Sequence, residues 1–321
     1  MLSIENLSVT FKDRASGEDI RACDGISLNV EAGELVGLVG ESGCGKSTLG
    51  RTIVGLERAS AGRVLINGVD VLTLRGSRRR QARLQAQYIF QDPYTALTPS
   101  QTIGQAIDEA LQIAGEHNAR ARMLRARSLM EEVGLPLDIL ERQPRELSGG
   151  QRQRVCIARS LVVEPKVLIC DEPVSSLDVS IRAQIMNLFL KLRDEKGLAI
   201  LFIAHDLAVV RQAASRVYVM YLGQIMEAGP SASVYSQPLH PYTQSLLSAV
   251  PDPDPRIERQ RRRILLEGDV PSPARPPSGC RFRTRCPAAA SICASEPPVM
   301  SIGEASAHCH FAGTVRLMPA A

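Results

Sequence analysis

Residues 40–48 read Gly-Glu-Ser-Gly-Cys-Gly-Lys-Ser-Thr and match the pattern G-x-x-x-x-G-K-S/T. The apolar run 35–39 before them has strand length, and residues 49–56 after them can form a helix. Strand, glycine-rich turn and helix in that order make a phosphate cradle. Glycines let backbone N–H groups turn inward around phosphate oxygens, and the helix N-terminus adds partial positive charge. In such a loop Lys46 reaches the β- and γ-phosphates and Ser47 ligates Mg²⁺.

A second chemical signal is the apolar run 167–170, which ends in Asp171 and Glu172. An Asp at a strand end beside a phosphate loop can hold Mg²⁺, and the adjacent Glu can orient or deprotonate an attacking water. Alone, an acidic strand end is often just solvated. A third signal is Leu-Ser-Gly-Gly-Gln at 147–151, directly before an amphipathic stretch. Ser148 is a natural N-cap, and Gly149 and Gly150 expose N–H groups at a positive helix end. One chain therefore carries two anion-binding helix starts.

The elements that must position these groups are readable in outline. Residues 2–10, 26–30 and 62–67 have strand patterns. The runs 35–39, 167–170 and 198–204 fit buried parallel strands, and 216–220 with 223–228 fits a hairpin. Residues 102–134 carry helical periodicity through Ile103, Ile107, Leu111, Leu124, Leu129 and Val133, and 148–162 is a further helix. Strands interleaved with helices mean an α/β fold with a mostly parallel sheet. Beyond residue 237 the composition changes. Pro238, Pro241, Pro251, Pro253, Pro255, Pro271, Pro273, Pro276 and Pro277 forbid long helices and mark a boundary.

GESGCGKST, LSGGQ, VLICDEP, the SSLD at 175–178 and His205 together resemble the motif set of ATP-binding cassette (ABC) ATPases, in order and in spacing. The resemblance covers roughly residues 1–235. It implies a P-loop NTPase core with a RecA-like parallel sheet, an antiparallel β subdomain and a helical subdomain at about 92–160. It implies two such subunits facing head to tail, with each ATP held between one P-loop and the other LSGGQ. By motif, Gly40, Ser42, Gly43, Cys44, Gly45, Lys46, Ser47 and Thr48 are expected to bind phosphates and Mg²⁺. Gln91, in YIFQDP, corresponds to the Q-loop residue at Mg²⁺, and Asp171 to its carboxylate ligand. Ser148, Gly149, Gly150 and Gln151 would face the opposite subunit's γ-phosphate. Glu172 corresponds to the catalytic glutamate, Asp178 to the D-loop Asp and His205 to the switch His. A lone His at a strand end is more often structural, and only this motif frame lifts His205 above that. Phe11 is the expected adenine-stacking aromatic.

The tail narrows the resemblance. QPLHPYT at 237–243, EGDVPSP at 267–273 and GCRFRTRCP at 279–287 resemble the C-terminal extension of oligopeptide/dipeptide importer ATPases, a family that includes nickel and glutathione importers. The division expected is a cassette at 1–236 and this extension at 237–321. The implied partners are a second cassette, identical or paralogous, two transmembrane permeases and an extracytoplasmic substrate-binding protein. The implied place is the cytoplasmic face of the inner membrane.

The extension holds Cys280, Cys286, Cys293 and Cys309 in the spacing C-x₅-C-x₆-C-x₁₅-C. Zinc sites prefer C-x₂₋₄-C pairs, and none is present. Four thiolates on short loops, with a Cys286-Pro287 step, suit a 4Fe–4S cluster, and zinc or plain thiols are the alternatives. Some members of the family carry such a cluster, so the resemblance also implies it. His308 and His310 flank Cys309 and could substitute as ligands, but are expected to be surface residues. A reducing compartment disfavours disulfides.

The composition excludes other classes. Of 321 residues, 44% are hydrophobic and 22% charged, which is globular. A net charge of +4 with 4% aromatics and no Trp gives neither a basic nucleic-acid footprint nor a stacking platform. The N-terminus lacks the basic and apolar regions of a signal peptide. A soluble cassette ATPase acting on nucleic acid or ribosomes is the rival reading, but such proteins typically carry two cassettes or a long coiled-coil insertion. A redox or iron sensor is a third class, and the intact catalytic set argues against it as the main role. Two arginine clusters, 75–83 and 256–263, read as solvated faces, with contact to acidic lipid or a partner as the functional alternative.

Overall fold

A computed structural model describes residues 1–13, 17–251, 254–260 and 263–317. Pro253 of the proline-rich stretch and Arg261 and Arg262 of the second arginine cluster lie outside the described residues. The strands are β1 (Leu2–Lys12), β2 (Asp19–Val30), β3 (Leu35–Val39), β4 (Ala61–Ile66), β5 (Val69–Asp70), β6 (Ala86–Ile89), β7 (Val167–Asp171), β8 (Ala199–Ala204), β9 (Arg216–Tyr221), β10 (Gln224–Pro230), β11 (Val299–Ile302) and β12 (Ala305–His308). They form a four-stranded antiparallel sheet in the order β2-β1-β4-β5 and an eight-stranded sheet in the order β11-β12-β10-β9-β3-β8-β7-β6. In the larger sheet β6, β7, β8, β3 and β9 run parallel, and the β9–β11 end is antiparallel.

Strands β3, β7 and β8 are buried at every position, which is why their sequences are continuous apolar runs rather than alternating ones. Successive side chains of β3 point to opposite faces. Leu35 and Val39 enter the core beneath the helical region, whereas Val36 and Leu38 enter the core beneath the antiparallel sheet. The parallel strands thus end together at one edge, where the loops after β3, β6, β7 and β8 carry the motif residues.

The periodic stretch 102–134 is two helices, Ile103–Ala114 and Ala119–Glu132. Gly115, at φ 103°, ends the first, and the Asn118 side chain accepts from the N–H groups of Arg120 and Ala121 to start the second. Ser148 caps the helix Gly149–Leu161 through a capping box with Gln151. Among the described residues no helix is long and apolar enough to cross a membrane.

The segment after 237 folds onto the cassette instead of standing apart. Strand β12 pairs with β10, so the main sheet continues into it. Phe282 is fully buried, its ring centroid 5.4 Å from that of Tyr221 and 5.2 Å from that of Tyr242. Aromatic pairs at such distances contribute about 1 kcal/mol each beyond area burial. The Glu227 carboxylate, buried on β10, accepts from the N–H groups of Leu239 and His240 at 2.8 Å each. A proline-rich segment with few large apolar residues cannot close a core alone, and here it borrows the cassette's.

Candidate active site

The loop after β3 leads into the helix Lys46–Ile53. Gly45 stands at φ 107°, and a Cβ there would lie 2.0 Å from the Ala22 carbonyl oxygen, so only glycine fits. Lys46 is 5% exposed and its Nζ donates to the carbonyls of Gly40 at 2.7 Å and Glu41 at 2.9 Å. The ammonium is thereby folded onto the loop that would surround a phosphate. Cys44 is buried under it, and burial holds its thiol above the ordinary value and neutral.

Asp171 ends β7 and Ser47 Oγ donates to its Oδ1 at 3.0 Å. Tyr88 on β6 donates its hydroxyl to Oδ2 at 2.5 Å. Burial, then the Asp171 charge, pushes the Tyr88 hydroxyl up, so it remains a donor. Sequence reasoning passed over Tyr88, although it stands three positions before Gln91 in the same motif. Glu172 occupies the left-handed region at φ 47°, which costs a non-glycine residue about 1 kcal/mol. Its carbonyl accepts from Ser175 N at 3.2 Å and Ser175 Oγ at 3.0 Å, and its N–H donates to Ile203 O at 3.0 Å. This turn aims the carboxylate toward the loops after β6 and β8. Gln91 Nε2 donates to Glu172 Oε2 at 3.0 Å, and His205 Nδ1 lies 3.0 Å from the same oxygen.

A cleft of about 480 Å³ is lined by Ile20, Ala22, Ser42, Gly43, Gly45, Lys46, Ser47, Thr48, Gln91, Glu172, His205 and Pro273; Gly40, Cys44 and Asp171 stand behind that lining, with Asp171 bonded to Ser47. Ser47, Gln91 and Asp171 supply hydroxyl, amide and carboxylate oxygens, the hard donors that Mg²⁺ takes, so the set fits that ion. Phe11 does not line the cleft; it pairs with Ile20 across β1–β2 and is 37% exposed. Ser148, Gly149, Gly150 and Gln151 also stand outside it, at the start of the helix Gly149–Leu161. Asp178 precedes the helix Val179–Lys196, exposed and without a side-chain cap bond.

In the tail, Cys280, Cys293 and Cys309 are buried and Cys286 is half-buried, all as free thiols. Burial first, then the neighbouring thiols, pushes Cys280 and Cys286 up to about 11. Two of the four are tied through the backbone, the Cys280 N–H donating to the Cys293 carbonyl at 3.0 Å. Among the described residues, however, no group of three or more His, Cys, Asp or Glu is arranged to hold a metal ion. The expected cluster site is thus not pre-formed among the described residues. The helix Gly76–Gln85, with the first arginine cluster, buries none of its residues.

A family profile described as ABC transporter matches residues 23–175, and one described as oligopeptide/dipeptide transporter, C-terminal region, matches residues 226–293. The chain belongs to the ABC transporter family, as an ATP-hydrolysing cassette. Among relatives, it is 51% identical over 309 residues to the oligopeptide transport ATP-binding protein OppF of Salmonella typhimurium, covering 94% of this chain and 92% of that one. It is 46% identical over 326 residues to OppF of Haemophilus influenzae, covering 99% and 97%. Among solved structures, the dimeric post-hydrolysis state of the ATP-binding cassette MJ0796, bound to ADP and phosphate, superposes with a TM-score of 0.65 at 29% identity. That match covers 72% of this chain and 99% of MJ0796.

Proposed function

We propose that this chain is the ATPase subunit that powers import of di- or oligopeptides through a membrane ABC transporter. One observation carries the reading: a single cleft is lined by a phosphate loop, whose Ser47 is bonded to Asp171, and by a carboxylate braced by Gln91 and His205, on a chain whose tail matches the peptide-transporter extension. In this reading the triphosphate lies along the loop of Gly40, Ser42, Gly43, Cys44, Gly45, Lys46, Ser47 and Thr48. Lys46 turns from its loop carbonyls to the β- and γ-phosphates. Ser47, Gln91 and Asp171 hold Mg²⁺, whose charge offsets that of the phosphates. Glu172 orients and deprotonates the attacking water, and His205 and Gln91 hold its carboxylate in line. Ile20, Ala22 and Pro273 also line the cleft, and Phe11, paired with Ile20 outside it, is the aromatic that would reach the base.

Ser148, Gly149, Gly150, Gln151 and Asp178 have no partner in this cleft, which supports their use in trans against a second cassette. MJ0796, a bacterial ABC transporter cassette, is dimeric in its solved structure. The division is then a cassette at 1–236, its helical subdomain at about 92–160, and the extension at 237–321. Further partners are two permeases and an extracytoplasmic binding protein, with the chain peripheral on the cytoplasmic membrane face. Copurification tests this: permease subunits are expected with the tagged chain, whereas ribosomes or nucleic acid without permeases would overturn it.

The four cysteines of the tail, Cys280, Cys286, Cys293 and Cys309, with the Cys286-Pro287 step, support a 4Fe–4S cluster there, with zinc as the alternative metal. No step of hydrolysis runs through it. Anaerobic protein is expected to contain iron and sulfide; stoichiometric zinc, or no metal, overturns the cluster.

A further inference from the structure

Glu41, in the phosphate loop, is held at three points. Its carbonyl accepts from Lys46 Nζ at 2.9 Å. Its N–H donates to the Tyr242 hydroxyl at 2.9 Å. Its carboxylate accepts from Arg285 Nη1 at 3.1 Å and 2.9 Å on its two oxygens. Two of the three attachments come from the extension.

Neither partner is a loose surface group. Tyr242 is fully buried, and the Arg285 side chain is 11% exposed. Arg285 Nη1 also donates to the Tyr221 hydroxyl at 3.4 Å. On the other side of Phe282, Arg281 donates to the Leu222 carbonyl and pairs with Asp24. The segment 280–286 is therefore pinned to the cassette by Arg281, Phe282 and Arg285, and it cannot shift without moving Glu41. Pro273 of the same extension reaches the cleft itself.

We infer that Tyr242 and Arg285 are positioning residues for the nucleotide: they fix the phosphate loop through Glu41 and thereby set the affinity for ATP. Two physical effects lead there. A loop already ordered in its bound shape loses less freedom when the ligand arrives. A Glu41 carboxylate stripped of its guanidinium would also repel the triphosphate a few residues away. Both effects act on binding more than on the chemical step. The inference rests on the cleft being the nucleotide site.

The test is the equilibrium binding of methylanthraniloyl-ATP, with Mg²⁺, to the purified full chain, alongside thermal melting. Wild type should bind and Lys46→Ala should not; a wild type that does not bind sinks both the functional reading and this inference. Arg285→Met and Tyr242→Phe should each weaken binding about tenfold, the order expected for losing a hydrogen bond that orders the site. Arg285→Lys should restore most of that loss. Glu41→Gln combined with Arg285→Met should bind more tightly than Arg285→Met alone, because the unpaired carboxylate is gone. Binding within twofold of wild type in folded Arg285→Met and Tyr242→Phe would show that the brace is only structural. Should Arg285→Met fail to fold, Tyr242→Phe loses a single oxygen and decides by the same threshold.

Discussion

His205 Nδ1 lies 3.0 Å from Glu172 Oε2, the same oxygen that accepts from Gln91 Nε2. The carboxylate is therefore held at one oxygen by residues following β8 and β6. A group so oriented at a phosphate site is placed to act on water rather than to bind nucleotide. Glu172→Gln is expected to keep ATP affinity within a few-fold, lower turnover by about 100-fold or more, and stabilise the closed pair of cassettes. Single-turnover hydrolysis checks this, and a variant with wild-type turnover contradicts the role given to Glu172.

Ser148 caps its helix outside the cleft, and its proposed work is on the facing subunit's nucleotide. Ser148→Arg should abolish hydrolysis in a homodimer by obstructing that position. Mixing it with Lys46→Ala should restore a partial rate at most, through the one composite site left intact. Normal hydrolysis by Ser148→Arg alone would place the motif away from the nucleotide.

The tail's docking should weaken in mild acid. Burial, and then the nearby His308, lowers His240 to about 3, while its Nδ1 accepts from Tyr242 N at 3.0 Å and caps the helix Pro241–Ala249. Unfolded histidine protonates near 6.5. Between these values the unfolded chain binds the extra proton, so the stability is complete above about 6.5 and falls as pH falls toward 3. His240→Asn keeps a cap acceptor but does not titrate. Between pH 7 and 5, wild type should lose about 2 kcal/mol more unfolding free energy than His240→Asn. Glu227 and His308 are present in both proteins, so the difference reports His240 together with its coupling to His308. Equal losses in urea titrations would refute the assignment.

The nucleotide cleft was legible because its signals are contiguous: the phosphate loop, the acidic pair and His205 each adjoin a buried apolar strand, so β3, β7 and β8 bring Lys46, Asp171 with Glu172, and His205 to one edge. The brace on Glu41 was not legible. Its partners stand 201 and 244 positions away, and nothing local marks a tyrosine or arginine as facing the loop. The tail strands were hidden for a different reason. All four β11 positions are exposed, and β12 is Ala-Ser-Ala-His, so neither shows an alternation of large apolar side chains. The helix break at Gly115 was masked by apolar spacing that continues on both sides.

The central claim is that hydrolysis in this cleft drives peptide entry. It is tested most directly by uptake of a radiolabelled tripeptide into cells deleted for this chain and complemented with wild type or Glu172→Gln. The account predicts that deletion abolishes accumulation, that wild type restores it, and that Glu172→Gln does not, at equal protein level in the membrane fraction. Accumulation that survives deletion, or that Glu172→Gln restores in full, would contradict it.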